Sequence, residues 1–179
     1  MPKGLKSTSS QIEVSFDLSE SAANTFTTER IDLQLNALDN EVFVVTGVKM
    51  DLLSPDMNLI GASQDVRAFV SAALSKQSVT SIPSLASPSC FATAKETLVY
   101  SEGPAPNHNA AAASFQENHN DAPTHTEYVD IIATPDFFVS ILGGSNATPK
   151  TVAGKLYGYR ARADAAIYAA LVQSEVLSQ

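Results

Sequence analysis

Three histidines, His108, His119 and His125, fall in one stretch of the chain together with Glu117 and Asp121. Imidazole and carboxylate are the donor types that hold zinc or iron, so a metal site is the first chemistry to weigh. Such ligands come close together and from rigid elements, whereas these are widely spaced in a stretch rich in Asn and Ala. The expectation is therefore solvated loop residues or subunit contacts, with the three histidines kept as candidate metal ligands only. Nucleophilic chemistry finds less support. Cys90 follows Pro88-Ser89 in an apolar neighbourhood and reads as a small core residue. No serine sits in a Gly-x-Ser-x-Gly elbow, and Gly143-Gly144 is a turn rather than a phosphate cradle. Asp130, Asp136 and Asp164 could pair in space, but strand ends and turns put carboxylates at the surface by default. No catalytic residue and no cofactor are expected, and the chain does not read as an enzyme.

Other polar patterns point toward surfaces. Tyr157 and Tyr159 at i, i+2 on a strand read as packing residues more readily than as a sugar platform, and the chain has no Trp. Asn146-Ala147-Thr148 matches the glycosylation pattern, but Pro149 follows it and no secretion signal precedes it. Arg160, Arg162 and Asp164 form an alternating charged row. It reads either as a solvated strand face or as an interface row that sets register with a neighbouring subunit. The segment after it, Ala165 to Gln173, carries no charge, and a helix that is apolar all round must be buried against its own sandwich or against another subunit. Ile167 and Leu171 on that helix are candidate interface residues for this reason.

The elements that must position these residues show in the hydrophobic pattern. Ile12, Val14, Phe16 and Leu18 alternate with Gln11, Glu13, Ser15 and Asp17, as on a strand with one dry face. Seven further strands are expected at about 27–36, 41–53, 65–75, 91–100, 126–133, 136–142 and 151–163. In the third of the eight, Val42, Val44, Val48, Met50 and Leu52 share a face by parity. Phe43 and Val45 make its first half apolar on both sides, which marks them as candidate subunit contacts. The 65–75 stretch fits either a strand or one helical face, and its strand neighbours favour strand. Residues 76–90, with Pro83, Pro88 and many serines, read as loop or irregular edge.

Three segments follow: a flexible, weakly basic arm at 1–10, a β-domain at 11–163 containing a long loop at 101–126, and a helix or tail at 164–179 that Asp164 can cap. At 179 residues with 44 % apolar content the chain suits one domain with a real core. A net charge of −8 disfavours strong direct nucleic-acid binding. A single cysteine excludes an internal disulfide framework. No apolar run is long enough to span a bilayer, and the expected setting is soluble and cytoplasmic at synthesis.

Eight strands in one all-β domain with a short C-terminal helix point to an antiparallel jelly-roll sandwich. An immunoglobulin-like sandwich is the rival, but it is typically shorter and lacks the terminal helix. In strand count and order of elements, over about residues 11–163, the chain resembles a single jelly-roll viral capsid protein. That resemblance implies a structural subunit whose partners are copies of itself, in a symmetric oligomer or shell, with other virion proteins as further partners and the virion as its location. Lys3 and Lys6 are too few to neutralise a packaged genome, so the resemblance implies a separate component for that task. The alternative is a cell-surface or secreted-type β-sandwich that recognises a ligand through its loops.

Overall fold

The computed structural model describes residues 4–57, 66–101, 111–119 and 127–177. Its strands are β1 (Leu5–Ser7), β2 (Ile12–Ser19), β3 (Thr27–Asp32), β4 (Glu41–Leu52), β5 (Val66–Ser75), β6 (Cys90–Ser101), β7 (Ala111–His119), β8 (Asp130–Ile132), β9 (Asp136–Gly144) and β10 (Thr151–Ala163). A helix, α1 (Ala165–Leu177), closes the chain, and a single 3-10 turn (Ala37–Asp39) joins β3 to β4. All eight expected strands are present, and the 65–75 stretch is a strand. Among the described residues the count is ten rather than eight, because β1 lies in the segment expected as an arm and β7 in the segment expected as a loop.

One sheet runs β2–β10–β4–β8, with β1 lying on the same edge of β10 as β2; the other runs β3–β9–β5–β6–β7. Every pairing is antiparallel, and the chain alternates between the sheets from β2 to β5 and again from β8 to β10, so that β2, β3, β4 and β5 are matched by β10, β9, β8 and β6. This interlocked order is the jelly roll. The long-range β2–β10 and β3–β9 ladders bring the two ends of the chain together.

Between the sheets sit Phe16, Leu18, Phe43, Val45, Val48, Val70, Leu74, Phe91, Phe137, Val139, Ile141 and Leu156, all buried. The dry face of β2 is the one its alternation defines. Phe137 is fully buried and makes edge-to-face contacts with Phe16 at 6.1 Å and Phe91 at 6.3 Å between ring centroids. Phe137→Ala should lower stability by about 3–5 kcal/mol, read from urea unfolding. A loss under ~1 kcal/mol would show that the three rings are not the centre of the core.

The β4 face is where parity misleads. Tyr157 of β10 pairs with Gly47 and the next residue, Gly158, with Val45, so Thr46 is an extra residue in a β-bulge. The bulge switches the faces. Val48 and, before the bulge, Phe43 and Val45 point between the sheets, while Val42 and Val44 point to the outside of the sheet. Gly158 fits this crossing closely: a Cβ there would come within 2.3 Å of the Val44 carbonyl and 2.4 Å of the Phe43 ring.

Candidate assembly surfaces

The outer face of the β2–β10–β4–β8 sheet is divided in two. Over one half lies α1, which seats Ile167, Tyr168, Leu171 and Val172 on Leu5, Val42, Val44, Ala133, Ala161 and Ala163. The helix, charge-free from Ala165 to Ser174, is thus covered by its own sandwich along one side, and its other side shows Ala165, Ala166, Ala169, Ala170, Gln173 and Ser174 to solvent. Its far end is hooked by Glu175. That buried carboxylate accepts the Ala133 N–H at 3.0 Å and the Thr134 N–H at 3.1 Å, while Gln77 Nε2 donates to the Glu175 carbonyl. Burial pushes the Glu175 pKa up, opposed by the Ala133 N–H, by nearby Lys76 and by the Thr134 side chain; Lys76 itself pairs with Asp130 at 3.0 Å.

Several sequence-derived interface residues find their partners inside the chain. Phe43 and Val45 are 1 % and 0 % exposed; they line the core and offer nothing to a neighbour, which corrects their assignment to a subunit contact. Ile167 and Leu171 pack on the chain's own sheet and are half-buried there. Arg160 Nη2 donates to the Leu33 carbonyl at 3.1 Å, and Arg160 Nε is buried with no acceptor among the described residues. Arg162 bridges Asp39, with Nη2 2.6 Å from Oδ1 and Nε 3.1 Å from the carbonyl. Both arginines therefore hold the β3–β4 connection. Asp164 is exposed just ahead of α1, and its carbonyl accepts the Tyr168 N–H.

His108, His125 and Asp121 lie outside the described residues. His119 is the last residue of β7, opposite Thr93, and Glu117 stands opposite Lys95. Among the described residues no three His, Cys, Asp or Glu side chains gather into a metal-binding group. Cys90 is buried, and desolvation raises its thiol pKa. Asp130 and Asp136 each have their own cation, Lys76 and Arg30. Tyr159 packs in the layer under α1, whereas Tyr157 faces the open half of the sheet. Among the described residues no helix is long and apolar enough to cross a membrane.

A polar knot that no local spacing announces ties one end of the sandwich. Glu20, 4 % exposed, accepts the Gly143 N–H at 2.6 Å and the Lys150 N–H at 2.9 Å. Asn146 donates to the Phe69 carbonyl at 2.9 Å and accepts the Asp56 N–H at 3.0 Å, so this buried side chain is occupied and is no glycosylation acceptor in the folded chain. Asp56 accepts the Ala147 and Thr148 N–H groups and the Thr148 hydroxyl through Oδ2, and holds Lys150 Nζ at 2.5 Å through Oδ1. The Lys150 side chain is 1 % exposed. Its bond to Asp56, helped by Thr148 and opposed by desolvation, lowers the aspartate pKa from 3.8 to about 2.

Against this closed interior, some large apolar side chains stand in solvent: Leu38 at 97 % exposure, then Phe115, Leu53, Met57 and Leu85. The half of the outer sheet face that α1 leaves open forms a depression of about 650 Å³ over β2, β10 and β4, lined by Ser15, Lys49, Asp51, Ala153, Lys155 and Tyr157 among others. Lys155 bonds Glu13 at 2.9 Å at its rim.

No protein-family model matches the chain, and no curated protein does. Among solved structures, it is similar to apo VP1 of chimpanzee polyomavirus, with 9 % identity and a TM-score of 0.41, over 89 % of this chain and 98 % of that one. It is also similar to VP1 of trichodysplasia spinulosa-associated polyomavirus in complex with GM1 oligosaccharide, with 10 % identity and a TM-score of 0.37, over 92 % and 97 % of the two chains. The jelly-roll assignment itself rests on the strand order of the two sheets.

Proposed function

We propose that this protein is a self-assembling structural subunit of a viral capsid shell. The observation that carries the reading is the contrast between a closed jelly-roll core and a large apolar side chain, Leu38, held almost wholly in solvent on an ordered turn. Apolar surface of this kind gains by being covered, at roughly 25 cal/mol per Å², and a shell covers it by repeating one modest contact many times. Copies of the chain are the main partner in this reading, the virion is where it acts, and it needs neither cofactor nor catalytic residue. With a net charge of −8, the sandwich is poorly suited to grip a genome directly, which falls to another virion component.

Light scattering and negative-stain electron microscopy of the purified protein test the reading. Uniform, symmetric particles many times the subunit mass are the expected result. A protein that stays monomeric at high concentration would overturn it, and the binding-sandwich alternative would take its place.

A further inference from the structure

We infer that β7 is a two-fold contact: its outer edge pairs antiparallel with β7 of a second copy of this chain, Phe115 meeting Phe115 on the axis. The inference rests on the assembly reading above and names one of its contacts. β7 is the last strand of its sheet and pairs with β6 over nine consecutive residues without a bulge. Among the described residues no strand pairs with its outer side. The N–H and C=O groups along such an edge are a template for another strand, and proteins blunt edges with short length, charged side chains, Pro or bulges. The other sheet edges show such devices. β1 and β8 have three residues each, β3 carries Glu29, Arg30 and Asp32 among six, and β2 carries Glu13 and Asp17. β7 has nine residues, Ala-Ala-Ala-Ser-Phe-Gln-Glu-Asn-His, with a single carboxylate and no Pro, Lys or Arg.

The occupant follows from where the exposed aromatic stands. Phe115 is the middle residue of the nine and is 57 % exposed. Antiparallel pairing about an axis at Phe115 lets every residue of both strands pair, Ala111 opposite His119, with about one hydrogen bond per residue. The same register sets the two exposed rings against each other, an aromatic cross-strand pair of the kind that stabilises sheets. It also puts Ser114 opposite Gln116 and Glu117 opposite Ala113. The two Glu117 carboxylates then stand about 14 Å apart along the strands, at ~3.4 Å per residue. Moving the axis to Ser114 or Gln116 shortens the ladder and sets Phe115 opposite Ala113 or Glu117 instead. Within the chain, Phe69, Thr97 and Phe115 form one row across β5, β6 and β7. The contact continues that row into its copy and joins two five-stranded sheets into one. The edge is thus complementary to itself, as a two-fold interface requires.

Two full-length variants test the axis: Phe115→Lys and Phe115→Glu each place like charges opposite one another there. Because Phe115 is exposed, each should keep the wild-type melting temperature while weakening association roughly thirtyfold or more, the effect of losing a central aromatic anchor. An equimolar mixture, in which opposite charges meet on the axis, should recover the lost association. A second measurement needs no disruption. Opposed Cβ atoms on paired strands lie about 5 Å apart, so in the Phe115→Cys chain, Cys90 being buried, a short thiol cross-linker should give a covalent dimer and nothing larger. Suppose the wild type forms particles, yet either charge variant assembles as it does, or the mixture recovers nothing, or the cysteine chain gives no covalent dimer. The contact is then wrong while the shell reading stands. If the wild type stops at a dimer that Phe115→Lys splits, the contact stands and the shell reading falls. A wild type that never associates overturns both.

Discussion

Asp56→Ala should be among the most damaging single substitutions in this protein, lowering stability by about 3–5 kcal/mol and the melting temperature on the order of 10 °C. The reason is Lys150. Its side chain is 1 % exposed and its ammonium meets the Asp56 carboxylate at 2.5 Å, so removing the carboxylate leaves a buried charge whose remaining partner among the described residues is the Thr148 hydroxyl at 3.4 Å. The same change removes the carboxylate that accepts the exposed Ala147 and Thr148 N–H groups and so holds the β9–β10 connection. In the double variant Asp56→Ala/Lys150→Met the charge is gone, and much of the loss should be regained. What stays lost, about 1–2 kcal/mol, belongs to the turn donors. A double variant as unstable as the single one would refute the ion-pair account.

The same pair sets an acid limit. The Asp56 pKa lies below its ordinary value, at about 2 against 3.8, so the folded state binds this proton more weakly than the unfolded chain does. Its contribution, about 2 kcal/mol at ~1.4 kcal/mol per unit, is complete above pH ~4 and is lost as pH falls toward 2. Urea midpoints measured across that window should fall more steeply for the wild type than for Asp56→Ala/Lys150→Met. Parallel curves would mean that Asp56 titrates normally.

None of this knot was legible in the sequence. Lys150 and Asp56 stand far apart along the chain, each beside a turn, and no period or spacing links them; the jelly roll brings them together by folding its ends onto one another. The strands were legible wherever one face is dry, as in Ile12, Val14, Phe16 and Leu18. The β7 strand was not, because residues 112–117 are exposed on both faces at a sheet edge, and a strand without a dry face leaves no alternation to read. In β4 the strand was legible but its faces were not. Thr46 adds one residue, and the apolar parity that put Val42 and Val44 with Val48 is reversed across it. The two-sided apolarity of Phe43 and Val45 therefore has an intramolecular cause: one face of β4 lines the core and the other carries α1. Leu38 is illegible for a related reason, since a leucine flanked by Ala and Asp in a short connection carries no pattern, and only its exposure in the fold makes it informative.

Ending the chain at Ala163 should leave a β-rich subunit that is less stable by about 4 kcal/mol, counting roughly 1 kcal/mol for each of four half-buried apolar side chains. Those four, Ile167, Tyr168, Leu171 and Val172, cover the layer built from Leu5, Val42, Val44, Ala161 and Ala163. The Glu175 bonds to the Ala133 and Thr134 N–H groups are lost with them. Leu171→Asp should act in the same direction, because it places a charge against that layer. Unfolding must be followed on the monomeric chain, since that is where the two roles of α1 part. A helix that served only to bridge subunits would leave the lone subunit as stable as before and change only its association. A helix that completes the fold lowers the stability of the lone chain and, by leaving Val42 and Val44 uncovered when it is removed, makes the truncated chain prone to non-specific aggregation. The packing of α1 on its own sheet favours the second outcome, and an unchanged urea midpoint for the truncated subunit would reverse that assignment.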